Sequence, residues 1–183
     1  MRIIIVGAGK VGLALTQHLS GENQVTVIDQ NPQLIDNIIN IHDVMGVCGN
    51  GASYEVQKEA ETDKAELLIA TTSSDETNIV ACLVAKKLGV QHTIARIRNP
   101  EYEKQLRFMR EELGLSMSIN PEKATAREIA RVLRFPNAMK LESFSKGRLE
   151  LVEYRLPEKS ALHGMQLADL YRNIRVRVLI CAV

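Results

Sequence analysis

The sequence predicts an α/β fold: a doubly wound parallel sheet of six strands, followed by a small, incomplete α+β domain. Short β-branched runs alternate with helical patterns at regular spacing over residues 1–134. Such alternation is typical of right-handed strand–helix–strand units that share one sheet. After Phe135 and Pro136 the apolar period changes to two, which indicates a hairpin. We therefore expect two domains, over residues 1–134 and 135–183.

The composition is that of an ordinary globular protein and favours no charged partner. Of the 183 residues, 45% are hydrophobic and 25% are charged, and the net charge is +1. This balance gives no electrostatic footprint for nucleic acid or for a membrane surface. The sequence lacks an apolar run of about 18 residues, which a membrane-spanning helix requires. It also starts directly at the first strand, so we expect a cytoplasmic protein.

The first strand and the turn after it carry the main functional pattern. The run Ile3-Ile4-Ile5-Val6 leads into Gly7-Ala8-Gly9-Lys10-Val11-Gly12. In a Rossmann-like turn of this kind, the first glycine allows the bend and the second lets the backbone approach a pyrophosphate. The third lets the helix pack closely on the strand. Unpaired N–H groups at the helix start then bind the anion, so the motif predicts a dinucleotide or adenine nucleotide site.

Asp29 ends the second predicted strand, about 20 residues beyond the glycines, where an acidic side chain meets an adenosine ribose. The alternative is a structural glycine turn in which Asp29 caps the next helix. No lysine or arginine lies between Lys10 and Lys58, whereas five acidic residues do. A ribose 2′-phosphate would therefore meet only negative charge. We predict NAD(H) or ATP/ADP rather than NADP(H).

A second glycine-rich junction, Gly49-Asn50-Gly51-Ala52-Ser53, follows the third predicted strand, residues 44–48. In an open parallel sheet, ligands bind outside the carboxyl ends of the strands, near the switch in strand order. This junction should lie beside the first glycine turn, where it can touch an adenine ring. The alternative is a plain loop with Ser53 as the N-cap of the next helix.

The fourth and fifth predicted strands also end in polar residues. Residues 67–71 lead into Thr72-Ser73-Ser74-Asp75-Glu76-Thr77-Asn78, whose hydroxyls could bond a ribose or a phosphate. For Asp75 a ligand role and a helix-capping role both stay open. Residues 93–97 place Arg96 at the ligand edge of the sheet. Its guanidinium could form two hydrogen bonds to a phosphate, which we favour, or pair with a surface carboxylate.

Asparagine followed by proline, an N-cap and a first helical residue, occurs three times. The pairs begin at Asn31, Asn99 and Asn120, and each predicts a helix start. Residues 115–119 form the sixth strand between the last two of these helices. The final helix places its apolar residues along one stripe, formed by Ala126, Ile129, Ala130 and Leu133.

The second domain is predicted to contain a hairpin with its turn at Lys146 and Gly147. A loop and short helix over residues 157–171 and a strand over residues 175–183 should follow. A piece of about 45 residues that ends in a strand without a successor buries little core. We therefore expect a truncated chain, or a domain that another subunit completes.

The sequence predicts neither catalytic nor metal-binding residues. A dehydrogenase needs a proton donor or acceptor near the nicotinamide and room for a substrate. His18 and His42 fall in helical patterns, and His92 lies at a strand start. His163 lies outside the sheet domain. The four histidines share no metal-ligand spacing. Three distant cysteines lie in apolar segments and should be reduced and buried: Cys48, Cys82 and Cys181.

Taken together, these motifs resemble the TrkA family of cytosolic regulatory subunits of bacterial potassium uptake systems. The resemblance rests on the glycine turn, Asp29, Gly49-Asn50-Gly51, the run from Thr72 to Asn78, and Ala95-Arg96-Ile97-Arg98. The last two are its most specific part, and it covers nearly the whole chain. It implies an RCK (KTN) nucleotide-binding domain over residues 1–134 and the start of the smaller C-terminal RCK domain over residues 135–183.

The resemblance also implies a role for each matched residue. The phosphate would be held by Gly7, Ala8, Gly9, Lys10 and Val11. The ribose would be held by Asp29, the adenine side by Asn50 and Gly51, the sugar-phosphate by Thr72 and Ser73, and a phosphate or a partner by Arg96. Full-length members of the family carry this two-part unit twice, whereas this chain holds one copy.

The resemblance further implies homodimers through the sheet domains, assembled into a ring beneath an integral-membrane potassium transporter or channel subunit. The sequence therefore predicts a nucleotide-sensing regulatory subunit at the inner face of the membrane, which binds NAD(H) and/or ATP/ADP and gates potassium transport. The alternative is an NAD-dependent oxidoreductase whose catalytic domain lies outside this chain. A structural dimerisation module without a ligand is a third option.

Overall fold

Six parallel strands form one sheet, and an antiparallel pair follows it. The computed structural model describes residues 1–144, 148–167, 169 and 179–183. The elements are β1 Arg2–Val6, α1 Lys10–Leu19, β2 Gln24–Asp29, α2 Pro32–Ile41, β3 Met45–Cys48, α3 Tyr54–Glu59, a 3-10 helix Thr62–Lys64, β4 Leu67–Ala70, α4 Asp75–Lys87, β5 His92–Arg96, α5 Pro100–Glu111, β6 Met117–Ile119, α6 Pro121–Arg134, β7 Ala138–Phe144 and β8 Leu149–Tyr154.

The strand order is β3-β2-β1-β4-β5-β6, and each neighbouring pair is parallel. The order reverses between β1 and β4, so the predicted doubly wound, Rossmann-like sheet is confirmed. Because the strands are parallel, their last residues lie along one side of the sheet. We call this side the carboxyl edge; its strands end at Val6, Asp29, Cys48, Ala70, Arg96 and Ile119.

The interior of β1 is apolar on both of its faces because helices cover both faces of the sheet. On β1, Ile4 and Val6 belong to one buried cluster, and Ile3 and Ile5 to the other. None of these four side chains is more than 2% exposed. Burying each contributes about 1.5–3 kcal/mol. β1 is therefore the central strand, and it fixes the position of the glycine turn that follows its carboxyl end.

The predicted Asn-Pro helix starts are confirmed. The side-chain oxygens of Asn31 and Asn99 accept hydrogen bonds from the backbone N–H two residues later, at 3.0 and 2.9 Å. Asn120 caps α6 by accepting from the N–H of Lys123 at 2.9 Å. Each cap satisfies one of the N–H groups that a helix start leaves without a partner.

The chain divides into two compact units, Met1–Ala124 and Thr125–Val183. The predicted domain boundary between residues 134 and 135 stays a prediction. In the second unit β7 and β8 form the predicted antiparallel hairpin. The part of α6 that belongs to this unit leaves its apolar residues exposed, with Leu133 at 72%.

Other predictions for the second unit fall on residues that the structure does not describe. The predicted turn at Lys146 and Gly147 lies there, as do residues 175–178 of the predicted last strand and part of the predicted short helix. Residues 179–183 are described and are not in a strand.

The prediction of three buried cysteines is wrong for two of them. Cys82 is buried on α4, but Cys48 and Cys181 are exposed, and all three thiols are free. An apolar neighbourhood in the sequence does not bury Cys48, because it is the last residue of the edge strand β3. Within the described part of the chain, every helix is too short or too polar to span a bilayer.

Candidate functional site

The three glycines of the first turn face different surroundings. Gly7 has φ of +101°, and a Cβ on it would lie 2.9 Å from the backbone nitrogen of Thr72. A Cβ on Gly12 would lie 1.7 Å from the carbonyl oxygen of Gly7. A Cβ on Gly9 would meet nothing within 4 Å. The fold itself therefore requires glycine at positions 7 and 12, and it does not require glycine at position 9.

The start of α1 lies directly beyond this turn and lacks a side-chain cap. Gly9 occupies the N-cap position with φ of −70°, and no acidic residue lies in the first helical turn. The first N–H groups of a helix have no partner within the helix and form the positive end of its dipole. The exposed backbone around Gly9 and Lys10 is therefore electrostatically suited to an anion.

Asp29 joins the end of β2 to the glycine turn. One carboxylate oxygen accepts from the N–H of Ala8 at 2.7 Å, and the other from the N–H of Asn31 at 2.8 Å. Asp29 does not cap α2, because Asn31 does so; the alternative capping role is wrong. An ionised carboxylate has about four acceptor sites, so Asp29 keeps capacity for ribose hydroxyls. Its ribose role stays a prediction.

The β3 junction packs against the centre of the carboxyl edge. Gly51 is buried, and a Cβ on it would lie 2.2 Å from a methyl carbon of Val6. Asn50 is exposed, and its side-chain oxygen accepts from the N–H of Ala52 at 3.0 Å, which closes a local turn. Ser53 stands at the N-cap of α3 but makes no capping side-chain hydrogen bond. The adenine role of Asn50 and Gly51 stays a prediction.

The run after β4 folds inward more than expected. The Thr72 hydroxyl and its N–H both donate to the side-chain oxygen of Asn78, at 2.8 Å each. Ser73 is exposed. Ser74, not Asp75, caps α4 by accepting from the N–H of Thr77 at 3.1 Å. The sugar-phosphate role of Thr72 and Ser73 stays a prediction.

Asp75 has a structural role that differs from both predicted alternatives, the ligand contact and the helix cap. Its side chain is nearly fully buried, at 6% residue exposure. One carboxylate oxygen accepts from the backbone N–H groups of Arg98 and Asn99, at 2.8 and 2.7 Å. Asp75 therefore fixes the loop between β5 and α5. The predicted helix-capping role of Asp75 is wrong, because Ser74 caps α4, and its ligand role stays a prediction.

Arg96 is engaged within the protein. Its side chain is 13% exposed, it pairs with the carboxylate of Glu122, and it donates to the carbonyl of Thr72 at 3.3 Å. The pKa of the Glu122 carboxyl lies below its ordinary value, because this carboxylate accepts a hydrogen bond from the backbone N–H of Glu122 and also pairs with the Arg96 guanidinium. The alternative of a carboxylate partner is therefore present, and the phosphate role of Arg96 stays a prediction.

The structure brings the predicted groups to one edge. Ala8 bonds Asp29, Gly7 lies against Thr72, and Gly51 packs on Val6. Residues that sequence reasoning left without a role also lie here. The guanidinium of Arg98 donates to the carbonyl of Ser73, and Asn78, Asp75 and Glu122 hold the surrounding loops. The Ala-Arg-Ile-Arg motif was the signal for Arg98, although its partner could not be read from it.

Two clefts lie away from this edge. They measure about 570 and 470 Å³ and share Arg2, Ser20, Asn23 and Gln24, near the amino ends of the strands. Neither is lined by a predicted site residue. Among the described residues, no group of three or more His, Cys, Asp or Glu side chains is placed to hold a metal ion.

The fold and the edge define a class: a doubly wound domain with a glycine turn at the switch in strand order, where backbone N–H groups and one carboxylate meet. Residues 3–121 match the family model of the TrkA-N domain. The chain therefore belongs to the TrkA-N family, which confirms the resemblance read from the motifs.

Curated relatives match nearly the whole chain. The Trk system potassium uptake protein TrkA homolog of Archaeoglobus fulgidus is 34% identical over 171 residues, which cover 93% of this chain and 39% of that protein. TrkA of Haemophilus influenzae is 36% identical over 172 residues, covering 92% and 38%. This chain thus spans about two fifths of the length of these relatives.

Solved structures share the fold. The TrkA-N domain of the inner membrane protein ybaL from Escherichia coli has a TM-score of 0.64 at 23% identity, covering 72% of this chain and 96% of that one. The GsuK channel bound to NAD has a TM-score of 0.55 at 22% identity, covering 64% and 21%. At these identities the likeness concerns the fold alone.

Proposed function

We propose that this chain is a nucleotide-sensing regulatory module of a potassium uptake system. It binds NAD(H), ATP or ADP along the carboxyl edge and gates an integral-membrane transporter or channel. Family membership and the potassium uptake relatives support the transport role. Two similar folds, the GsuK channel bound to NAD and GsuK bound to ADP, support the ligand class.

Gly9 is the observation that carries the nucleotide assignment. Neither its backbone angles nor its neighbours require glycine, yet it stands where α1 starts without a side-chain cap. A bound phosphate explains this, because its oxygens need close access to the backbone N–H groups. The phosphate is thus assigned to the turn from Gly7 to Val11, and the ribose to Asp29.

A regulatory role is favoured over catalysis by where the histidines of the first unit lie. His92 starts β5, and His18 and His42 are at the C-terminal ends of α1 and α2, so all three are away from the carboxyl edge. Hydride transfer needs an acid or base beside the nicotinamide. Reversible binding, in which ligand shifts the population of protomer arrangements, is the simpler account. The module would act in the cytoplasm as a homodimer or larger ring, held at the inner membrane face by its partner.

Isothermal titration calorimetry with NADH, NAD, ADP and ATP tests binding. Gly9→Ala places a methyl group where phosphate oxygens would lie, and should weaken binding by about tenfold or more. Gly21→Ala is the matched control, because a Cβ there also meets nothing within 4 Å. It lies beyond the C-terminal end of α1 and should leave affinity unchanged.

Three outcomes would contradict the proposal. One is equal affinity in the two variants, and another is the absence of heat with every nucleotide at millimolar concentration. The third is steady oxidation of NADH in the presence of a carbonyl acceptor, measured as a loss of NADH absorbance, which would favour the oxidoreductase.

Gating is tested by potassium flux into vesicles that hold a Trk-type transporter, with wild-type protein or Gly9→Ala, with and without nucleotide. A potassium flux that is the same with wild-type protein and with Gly9→Ala, and the same with and without nucleotide, would refute the gating role.

A further inference from the structure

We propose that Asn78 is a positioning residue of the nucleotide site. It holds the Thr72–Ser73 turn to the carboxyl end of β5, in the arrangement that the nucleotide recognises. This inference rests on the proposed function, since it concerns the same carboxyl edge. Asn78 itself is fully buried, at 0% exposure, so it acts through its neighbours and does not contact the ligand.

All four hydrogen-bonding positions of the Asn78 amide are used. Its oxygen accepts from the N–H and from the hydroxyl of Thr72, both at 2.8 Å. Its nitrogen donates to the carbonyl of Thr72 at 3.2 Å and to the carbonyl of Arg96 at 2.9 Å. A side-chain amide has two donor hydrogens and two acceptor lone pairs, so nothing is left over.

These bonds replace the sheet ladder where it stops. The pairing of β4 with β5 ends at Ala70 and Ala95. Beyond that pair, Thr72 lies in the loop after β4 and Arg96 is the last residue of β5, and the Asn78 side chain bridges them. The guanidinium of Arg96 adds one more bond to the Thr72 carbonyl, at 3.3 Å. Thr72 and Arg96, both predicted to contact the ligand, are therefore held relative to each other by the buried Asn78 amide and by this direct bond.

Only an amide meets these demands. An aspartate at this position would present a second oxygen to the carbonyls of Thr72 and Arg96, and an apolar residue would leave polar backbone groups without partners. The next buried residues of the same helix, Ala81, Cys82 and Ala85, are small and weakly polar or apolar. Packing of α4 alone thus does not call for a polar side chain here.

The consequence for binding is selective. The assigned adenine and ribose contacts lie at the ends of β2 and β3, whereas Asn78 holds the ends of β4 and β5. Loss of this bridge should therefore weaken a dinucleotide, which extends to the Thr72–Ser73 turn, more than a mononucleotide. A site that is no longer preorganised binds more weakly because the ligand must order it.

Asn78→Asp and the control Thr93→Ala test this, with NADH and AMP as ligands in calorimetry. Thr93 is also fully buried on β5, and its hydroxyl accepts from the N–H of Ser116 at 3.3 Å, away from the carboxyl edge. Titrations are run below the unfolding temperature of each variant. We expect Asn78→Asp to weaken NADH by about tenfold while AMP changes by less than about twofold. Thr93→Ala should leave both affinities unchanged while lowering the unfolding temperature.

Each other outcome overturns the inference. Equal losses for NADH and AMP would mean a merely structural role for Asn78, and unchanged NADH affinity would mean no role. If Asn78→Asp does not fold, Asn78→Ser carries the same comparison, because it places no charge beside the two carbonyls. Failure of wild-type protein to bind either ligand would instead refute the proposed function, so the two failures are distinguishable.

Discussion

Replacing Gly12 by alanine tests the packing on which the first turn depends. The new Cβ would lie 1.7 Å from the carbonyl oxygen of Gly7 and 3.2 Å from the hydroxyl of Thr71. Ordinary contact is about 3.5 Å, so α1 must move by about 1.8 Å, away from a backbone group that cannot yield. Overpacking costs about 1–3 kcal/mol and occasionally more, and we place this change at about 3 kcal/mol. Some turns of this type accept alanine at this position, but the distance measured here predicts that this one does not.

Thermal and urea unfolding measure the effect. For a chain of this size, about 3 kcal/mol corresponds to a decrease in Tm of about 6–12 °C. The control is Gly21→Ala, whose Cβ meets nothing within 4 Å; it should change stability by less than about 1 kcal/mol. If Gly12→Ala proves as stable as Gly21→Ala, α1 does not pack against the glycine turn as described, and the roles given to the glycines fail.

Three further predictions follow from buried and paired groups. Asp75→Ala removes a buried acceptor of two backbone N–H groups and should destabilise the protein by about 2–4 kcal/mol in urea unfolding; a change below about 0.5 kcal/mol would contradict this. Burial raises the pKa of the Cys82 thiol to about 12, so alkylation of native protein at pH 8, followed by mass spectrometry, should label Cys48 and spare Cys82; rapid labelling of Cys82 would refute its burial. The pKa of Glu122 is lowered in the folded state, so its stabilising contribution is present above its unfolded pKa and lost as pH falls through the folded value. The Glu122→Gln variant should accordingly lose less stability than wild type between about pH 6 and pH 3. If the free energy of unfolding of the two proteins falls equally over this range, the pairing with Arg96 contributes nothing.

Much of the sheet domain could be predicted because its signals are local. A β-branched run such as Ile3-Ile4-Ile5-Val6 specifies a strand buried on both faces. Asparagine followed by proline satisfies and pre-forms a helix start within three residues, as at Asn31. The glycine turn was recognisable because a strand and a helix flank it. Its three positions differ in what they contact, as their spacing implied.

What the sequence could not predict depends on residues far apart in the chain. Either Ser74 or Asp75 could cap α4; the choice falls to Ser74 because N–H groups 23 and 24 residues further on bond Asp75. The partner of Arg96 lies 26 residues away, in helix α6. Cys48 is exposed because β3 is an edge strand, and strand order is a global property. Asn78 stood within a recognised motif, but its role appears only when the end of β5 is beside it.

The most direct test is a structure of this chain determined from crystals grown with NADH. The account predicts the phosphates on the N–H groups at the start of α1, a ribose on the carboxylate of Asp29, and the remaining nucleoside toward the Thr72–Ser73 turn. A nucleotide bound elsewhere, such as in the clefts beside Arg2 and Gln24, would contradict it, as would a reacted product at the carboxyl edge.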